Sequence, residues 1–361
     1  MITPLITLLL ASFSIAILPI NPVYIMGMIV ILLGFYIFLK RMMISPINLT
    51  SLILSVVFYF FQILAVKNNT NIDKSLLTPT LMLYSMLLFP ISNIVISQYN
   101  ALLRLRAYEN FIKLSLFILL LDLVIRVARF DLSNGLLYSI KSGGMYFDSN
   151  FSSLVIISIM SLVLFLRATT HKKMNLYVLS LLILNLSTMS RAGIIAMILQ
   201  LAIFYNPKNA YKKLNVILII GFGLLLYLIY LFFFTGYSFL SFDGSFNSKF
   251  NIAQRLITYY ESGEFNVLYG IGLGQAKEFI GIFAHNIFVT FVLEMGLIGS
   301  IIFLLIYLLV LKQTGMWCNV IWLPTMVAGL SLFSAYMPFL FVISGVLALE
   351  VARSSSSGSK I

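Results

Sequence analysis

Charge is what this chain has least of: only 9% of its 361 residues are Asp, Glu, Lys or Arg, against roughly 25% in a soluble domain. That supply cannot clothe a soluble protein of this length, so a soluble enzyme is excluded. The single cysteine, Cys318, excludes an intramolecular disulfide, a secreted disulfide scaffold and a CxxC metal site. Two histidines, His171 and His285, exclude a multi-histidine metal cluster. Acidic residues are the scarcer sign, 11 against 23 basic, for a net charge of +12. The basic residues are scattered over short loops rather than gathered into a patch. They therefore read as setters of membrane topology and contacts for anionic phosphates, with no nucleic acid as partner.

What is present is apolar. Hydrophobic residues make up 61% of the chain and its mean hydropathy is +1.05, concentrated in runs of membrane-spanning length. The expected fold is an all-α integral membrane protein of about twelve transmembrane helices. They fall near 3–19, 22–39, 50–66, 76–97, 111–126, 151–166, 174–189, 192–206, 214–234, 285–311, 317–333 and 337–352. The first run lacks a basic leader and a clear cleavage site, and reads as a span rather than a signal peptide. Residues 1–353 form a single polytopic membrane domain, followed by a flexible, Ser-rich cytoplasmic tail at 354–361. With the N-terminus in the cytoplasm, fourteen of the 23 basic residues fall inside and nine outside, the bias that the positive-inside rule expects.

The longest connection, 235–284, then lies on the outer side. Loops of this length are functional or disordered, and Tyr237, Phe239, Phe242, Phe246, Phe250, Tyr259 and Tyr260 make this one unlike a disordered tail. Phe250, Ala253, Leu256, Ile257 and Tyr260 recur at helical spacing. They predict an amphipathic helix, either lying in the membrane interface or packed on the bundle as a lid.

Four outward features carry candidate chemistry. Ser190-Arg191-Ala192-Gly193 sits between two apolar runs; its guanidinium and the following helix N-terminus can hold a phosphate, or the arginine snorkels to the interface. Arg255, on the loop helix, precedes Gly270-Ile271-Gly272-Leu273-Gly274. Those glycines admit close approach of a ligand to the backbone, or a tight turn between helices; the spacing is no Rossmann or phosphate-loop fingerprint. His285-Asn286 opens the tenth run, with Glu294 further in. A neutral imidazole near arginines suits a base or hydrogen-bond acceptor, and a structural histidine is the alternative. Glu294 reads as a buried structural acid, a proton partner or a clasp between helices. Asp148-Ser149-Asn150 opens the sixth run, where Asp148 and Asn150 cap the helix, hold an arginine or touch sugar hydroxyls. Asp122, one turn before Arg126, predicts an intrahelical ion pair.

Taken in this order, Ser190–Gly193, Arg255-Leu256, Leu268-Tyr269-Gly270-Ile271-Gly272-Leu273-Gly274, and His285-Asn286 followed by Glu294-Met295-Gly296-Leu297-Ile298-Gly299 resemble the O-antigen ligase/polymerase superfamily. His285 with Gly296 is similar to that family's His-x10-Gly pattern, and Asp148-Ser149-Asn150 resembles its outer-loop element, with Ser149 where proline is usual. The resemblance covers residues from about 140 to 310 and the twelve-span layout. It implies a GT-C-like glycosyltransferase of the bacterial inner membrane with its active site facing the periplasm. The donor and acceptor would be undecaprenyl-pyrophosphate-linked glycans; membrane lipids and a chain-length regulator complete the implied partners. In the family the arginines engage the donor pyrophosphate and the histidine prepares the acceptor hydroxyl, places that Arg191, Arg255 and His285 match. Ser190, Asp148, Asn150, Gly272, Gly274, Asn286 and Tyr259 are the accompanying substrate-binding candidates, and no metal or cofactor is implied. Family ligases carry an Arg-x3-Leu element; Ile195 stands in that leucine's place, which tilts the expectation from ligase to polymerase.

Overall fold

The computed structural model describes residues 15, 17–40, 44–68, 75–130, 140–146, 148–170, 174–206, 227–228, 230–231, 235, 244–263, 266–284, 286–333 and 336–356. Of these, 82% are helical and none lies in a strand. The helices are α1 (Pro22–Leu39), α2 (Pro46–Asn68), α3 (Leu77–Ser97), α4 (Ala101–Ala128), α5 (Ser149–Thr170), α6 (Asn175–Ser187) and α7 (Arg191–Tyr205). They continue with α8 (Gly244–Glu261), α9 (Ala276–Ile280), α10 (Ile287–Thr314), α11 (Met316–Leu332) and α12 (Pro338–Ser356). Within α10 the stretch Thr290–Met295 is π-helical.

Ten of these helices coincide with ten of the twelve apolar runs; the first run, near 3–19, and the ninth, near 214–234, lie largely outside the described residues. Among the described residues, α2, α3, α5 and α10 are each long and apolar enough to cross a bilayer. Three of the other helices differ from these four in length or charge. At 1.5 Å per residue, the 13 residues of α6 and the 15 of α7 fall short of a hydrocarbon core about 30 Å thick. The 28-residue α4 is long enough but carries Arg104, Arg106, Glu109, Lys113, Asp122 and Arg126. The protein is an all-α membrane protein. Its last helix runs through Ser356, three residues into the tail expected to be flexible.

Local sequence sets the helix starts. Asn21, Asn100, Ser190 and Asn286 cap α1, α4, α7 and α10, each side chain accepting a backbone N–H from the first turn, the group left orphaned there. Between helices, small residues allow close contact. On α12, a Cβ at Gly345 would lie 2.0 Å from Ser92 Oγ and 2.4 Å from Phe89 O. Ser92 Oγ donates to Val342 O and Asn93 Nδ2 to Gly345 O, both at 3.3 Å. So α12 lies flush on α3.

Two buried polar clusters bracket the bundle. At one end Arg104 grips Glu350 through Nε at 2.6 Å and Nη2 at 3.1 Å, and Tyr108 donates to the same carboxylate at 2.9 Å, tying α4 to α12. At the other end the predicted Asp122–Arg126 pair is present at 3.2 Å, with both side chains 1% exposed. Its reach is wider than one helix. Asp122 Oδ1 accepts the Gly144 and Met145 N–H groups, at 2.8 and 2.9 Å, and Arg126 Nη1 donates to Ser187 O at 2.7 Å. The pair therefore fastens the loop before α5 and the end of α6 to α4. Asp122→Ala should cost about 3–5 kcal/mol, because it leaves a buried guanidinium uncompensated. That cost is read as a fall in thermal midpoint in detergent. Asp122→Ala with Arg126→Leu should recover part of the loss, and a single variant as stable as the parent would show that the pair fastens nothing.

Candidate functional site

The junctions α4–α5, α6–α7 and α11–α12 meet at the end of the bundle where α10 begins. Ser149 Oγ donates to Thr188 O at 2.8 Å, and Asn286 Nδ2 donates to Leu330 O at 2.7 Å. Over this end lies α8. Its residues Ile252, Leu256 and Tyr259 pack with Ile271, Ala276, Phe279, Ile280 and Ile282, while Ile257 and Tyr260 are exposed. The loop helix thus exists and lies on the bundle as a lid. Of the face expected, Phe250, Ala253 and Leu256 are on the covered side, and Ile252 and Tyr259 take the places expected of Ile257 and Tyr260.

Two cavities open at this end of the bundle, and α8 borders the larger of them. One, of about 370 Å³, is bounded by Asp148, Asn150, Lys249, Asn286 and Ser331, with Phe151, Phe283 and Ala284 among its apolar walls. The other, of about 250 Å³, shares Phe151, Phe283 and Ala284 and adds Thr78, Tyr146, Gly274, Thr290, Glu294 and Tyr336. Burial raises both the Tyr146 and the Tyr336 phenol above the ordinary tyrosine value, so each remains a hydrogen-bond donor at neutral pH.

The expected site residues divide between the cavities and their supports. Asp148, Asn150 and Asn286 stand around the larger cavity. Asp148 takes both the backbone and the side-chain N–H of Asn150 at 3.0 Å, the capping arrangement. Asn286 caps α10 through the Phe288 N–H at 2.8 Å and so fixes the chain just after position 285. His285 itself lies outside the described residues; its neighbours Ala284 and Asn286 both line the larger cavity. Ser190 is fully buried and accepts the Gly193 N–H at 3.2 Å, leaving Arg191 exposed at the first position of α7. A cation there opposes the helix dipole, and an anion beside it is favoured by both.

Arg255 is exposed and donates through Nη1 to Ile280 O at 2.9 Å, pinning the end of α9, whose chain continues into the cavity wall at 282–284. Tyr259 stands edge-on to Phe279 with ring centroids 5.2 Å apart, within the packed face of α8. Gly272 is buried against Val66, whereas Gly274 is exposed and borders the smaller cavity.

The glycine stretch is a docking turn. Gly270, Gly272 and Gly274 have φ of 68, 95 and 83°, a region that L side chains adopt only at a cost. The Ile271 and Gly272 N–H groups donate to Leu293 O and Glu294 O, both at 2.9 Å, carbonyls on the π-helical stretch. Leu297 and Ile298 return the contact to Val267 O and Leu268 O, at 2.9 and 3.1 Å. A Cβ on Gly270 would lie 2.6 Å from Gly296 N. This contact sets Glu294 facing Gly274.

Sequence reasoning missed three contributors. Lys249 reaches into the larger cavity and bonds Ser331 Oγ; its only signal was a basic residue away from the expected inner side. Tyr146 and Tyr336 carried no motif. No metal-ligating cluster of three His, Cys, Asp or Glu exists among the described residues. Set beside known proteins, the chain matches no protein-family model and no curated protein.

Proposed function

We propose that this protein is a polymerase of undecaprenyl-pyrophosphate-linked oligosaccharide repeat units. It moves the growing glycan from its lipid carrier to a new lipid-linked repeat on the periplasmic side of the bacterial inner membrane. The observation that carries this reading is the pair of adjoining cavities, the larger bordered by α8: aromatic walls and polar side chains from α5, α8, α10 and α11 converge around positions 284–286, at the edge of an apolar helical body. Such a place suits a sugar chain held next to a lipid.

The acceptor hydroxyl attacks the anomeric carbon at the donor's reducing end. The C–O bond to pyrophosphate breaks with inversion, and the lipid pyrophosphate leaves with the bonding pair. His285 takes the hydroxyl proton, and Arg191 and Arg255 stabilise the charge growing on the leaving group. No metal takes part in this scheme. Turnover of purified lipid-linked repeats should therefore be unchanged in EDTA; activity lost to the chelator and restored by Mg²⁺ or Mn²⁺ would defeat the arginine-only account.

Deletion of the gene followed by electrophoresis of the surface polysaccharide tests the reading as a whole. Single-repeat product is the expected result. Free polymer with bare lipid A–core would make the protein a ligase, and absence of any surface repeat would make it a flippase.

A further inference from the structure

Glu294 is a buried acid, 2% exposed, on the π-helical stretch of α10. Stretches of this kind often mark functional sites. Its two oxygens have different surroundings. Oε1 accepts the Gly274 and Ala276 N–H groups, both at 3.1 Å, so it holds the glycine turn and the start of α9. Among the described residues nothing donates to Oε2, although the side chain borders the 250 Å³ cavity.

Facing a cavity, that oxygen takes its donor from water or from a ligand hydroxyl. The cavity has room for much more than one water, whose share of liquid volume is about 30 Å³. Its walls supply the hydroxyls of Thr78, Thr290, Tyr146 and Tyr336 beside the rings of Phe283 and Phe333. Hydroxyls and one carboxylate around aromatic faces match a ligand with an apolar ring face and several O–H groups at its rim.

We propose that this cavity is a subsite for one sugar ring, with Glu294 Oε2 accepting ring hydroxyls and thereby selecting which sugar fits. The proposal rests on the glycan-polymerase reading and adds to it a specificity-determining residue. Glu294→Gln separates the two oxygens. The amide oxygen still receives the Gly274 and Ala276 N–H groups, while a donor replaces the acceptor facing the cavity. Loss of one such hydrogen bond, with a donor left facing the ligand's donors, costs about tenfold in affinity.

The test is saturation-transfer NMR on the full chain in lipid nanodiscs, with the methyl glycosides of glucose, galactose and N-acetylglucosamine as probes. At least one should bind saturably, and Glu294→Gln should weaken that probe about tenfold with the thermal midpoint unchanged. Thr290→Val, which keeps the volume and removes a hydroxyl, should weaken it less. Binding of no glycoside, or equal binding by parent and Glu294→Gln, overturns the subsite. If Glu294→Gln also lowers the midpoint, Thr290→Val decides: binding by that variant equal to the parent overturns the subsite. These failures are separable from failure of the polymerase reading. A gene deletion that leaves single repeats, together with absent glycoside binding, removes only the subsite; Glu294-dependent binding with intact long polymer in the deletion strain removes only the polymerase.

Discussion

Replacing His285 by alanine should abolish chain growth while leaving the protein's hold on the donor lipid nearly intact. Loss of a general base costs roughly 10²–10⁴ in rate, enough to erase polymer from a gel. The expectation draws on the resemblance in sequence and on how the chain is held around this position. Ala284, on one side, is buried and borders both cavities. Asn286, on the other, is clamped twice, to the Phe288 N–H and to Leu330 O. Both flanking residues thus stand at the cavity wall, beside which a base would have to be held. His171, expected on a cytoplasmic loop, is the control, and His171→Ala should be silent. Each variant must reach the membrane in normal amount, because an unfolded bundle imitates a dead enzyme. Long polymer made by His285→Ala at the parental rate would reduce His285 to a structural residue at the interface.

The helices were legible because their signal is local: an apolar run bounded by Asn, Ser, Pro or Gly. The run at 22–39 coincides with α1 to the residue, and the Asp122–Arg126 pair followed from spacing alone. What sequence could not supply was everything that depends on a partner from elsewhere in the chain. The i,i+4 spacing is silent about Gly144 and Ser187, which complete that pair. Heptad-like spacing on α8 left two readings open, and the face buried was decided by Phe279 and Ile282, residues some twenty positions on. The glycines at 270–274 were visible as turn formers, but their function depends on carbonyls freed by a π-turn twenty residues later. For the same reason Glu294 was ambiguous between clasp and site. Its two oxygens have separate surroundings, and only the fold distinguishes them.

Arg191 and Arg255 should not respond alike to substitution, and the difference tests the charge-stabilising role. Lysine keeps the charge but loses the planar fork that grips two oxygens of a pyrophosphate, so Arg191→Lys should be impaired and Arg191→Ala worse. Removal of one donor aimed at developing charge costs on the order of 10²–10³ in rate. Ser190 remains to cap α7 in either variant, so a fall in rate at position 191 reports on charge and geometry rather than on a lost helix start. Arg255 carries a second duty, its bond to Ile280 O. In Arg255→Lys a single ammonium can keep that bond or turn to the ligand, but cannot span both as a fork does. The deciding measurement is binding of undecaprenyl pyrophosphate beside the thermal midpoint. Weakened binding at an unchanged midpoint, in Arg255→Lys and more so in Arg255→Ala, is the expected result. A lowered midpoint with parental binding would mean that Arg255 only fastens α9 beneath the lid, and Arg191 would then be the one arginine left to stabilise the leaving pyrophosphate.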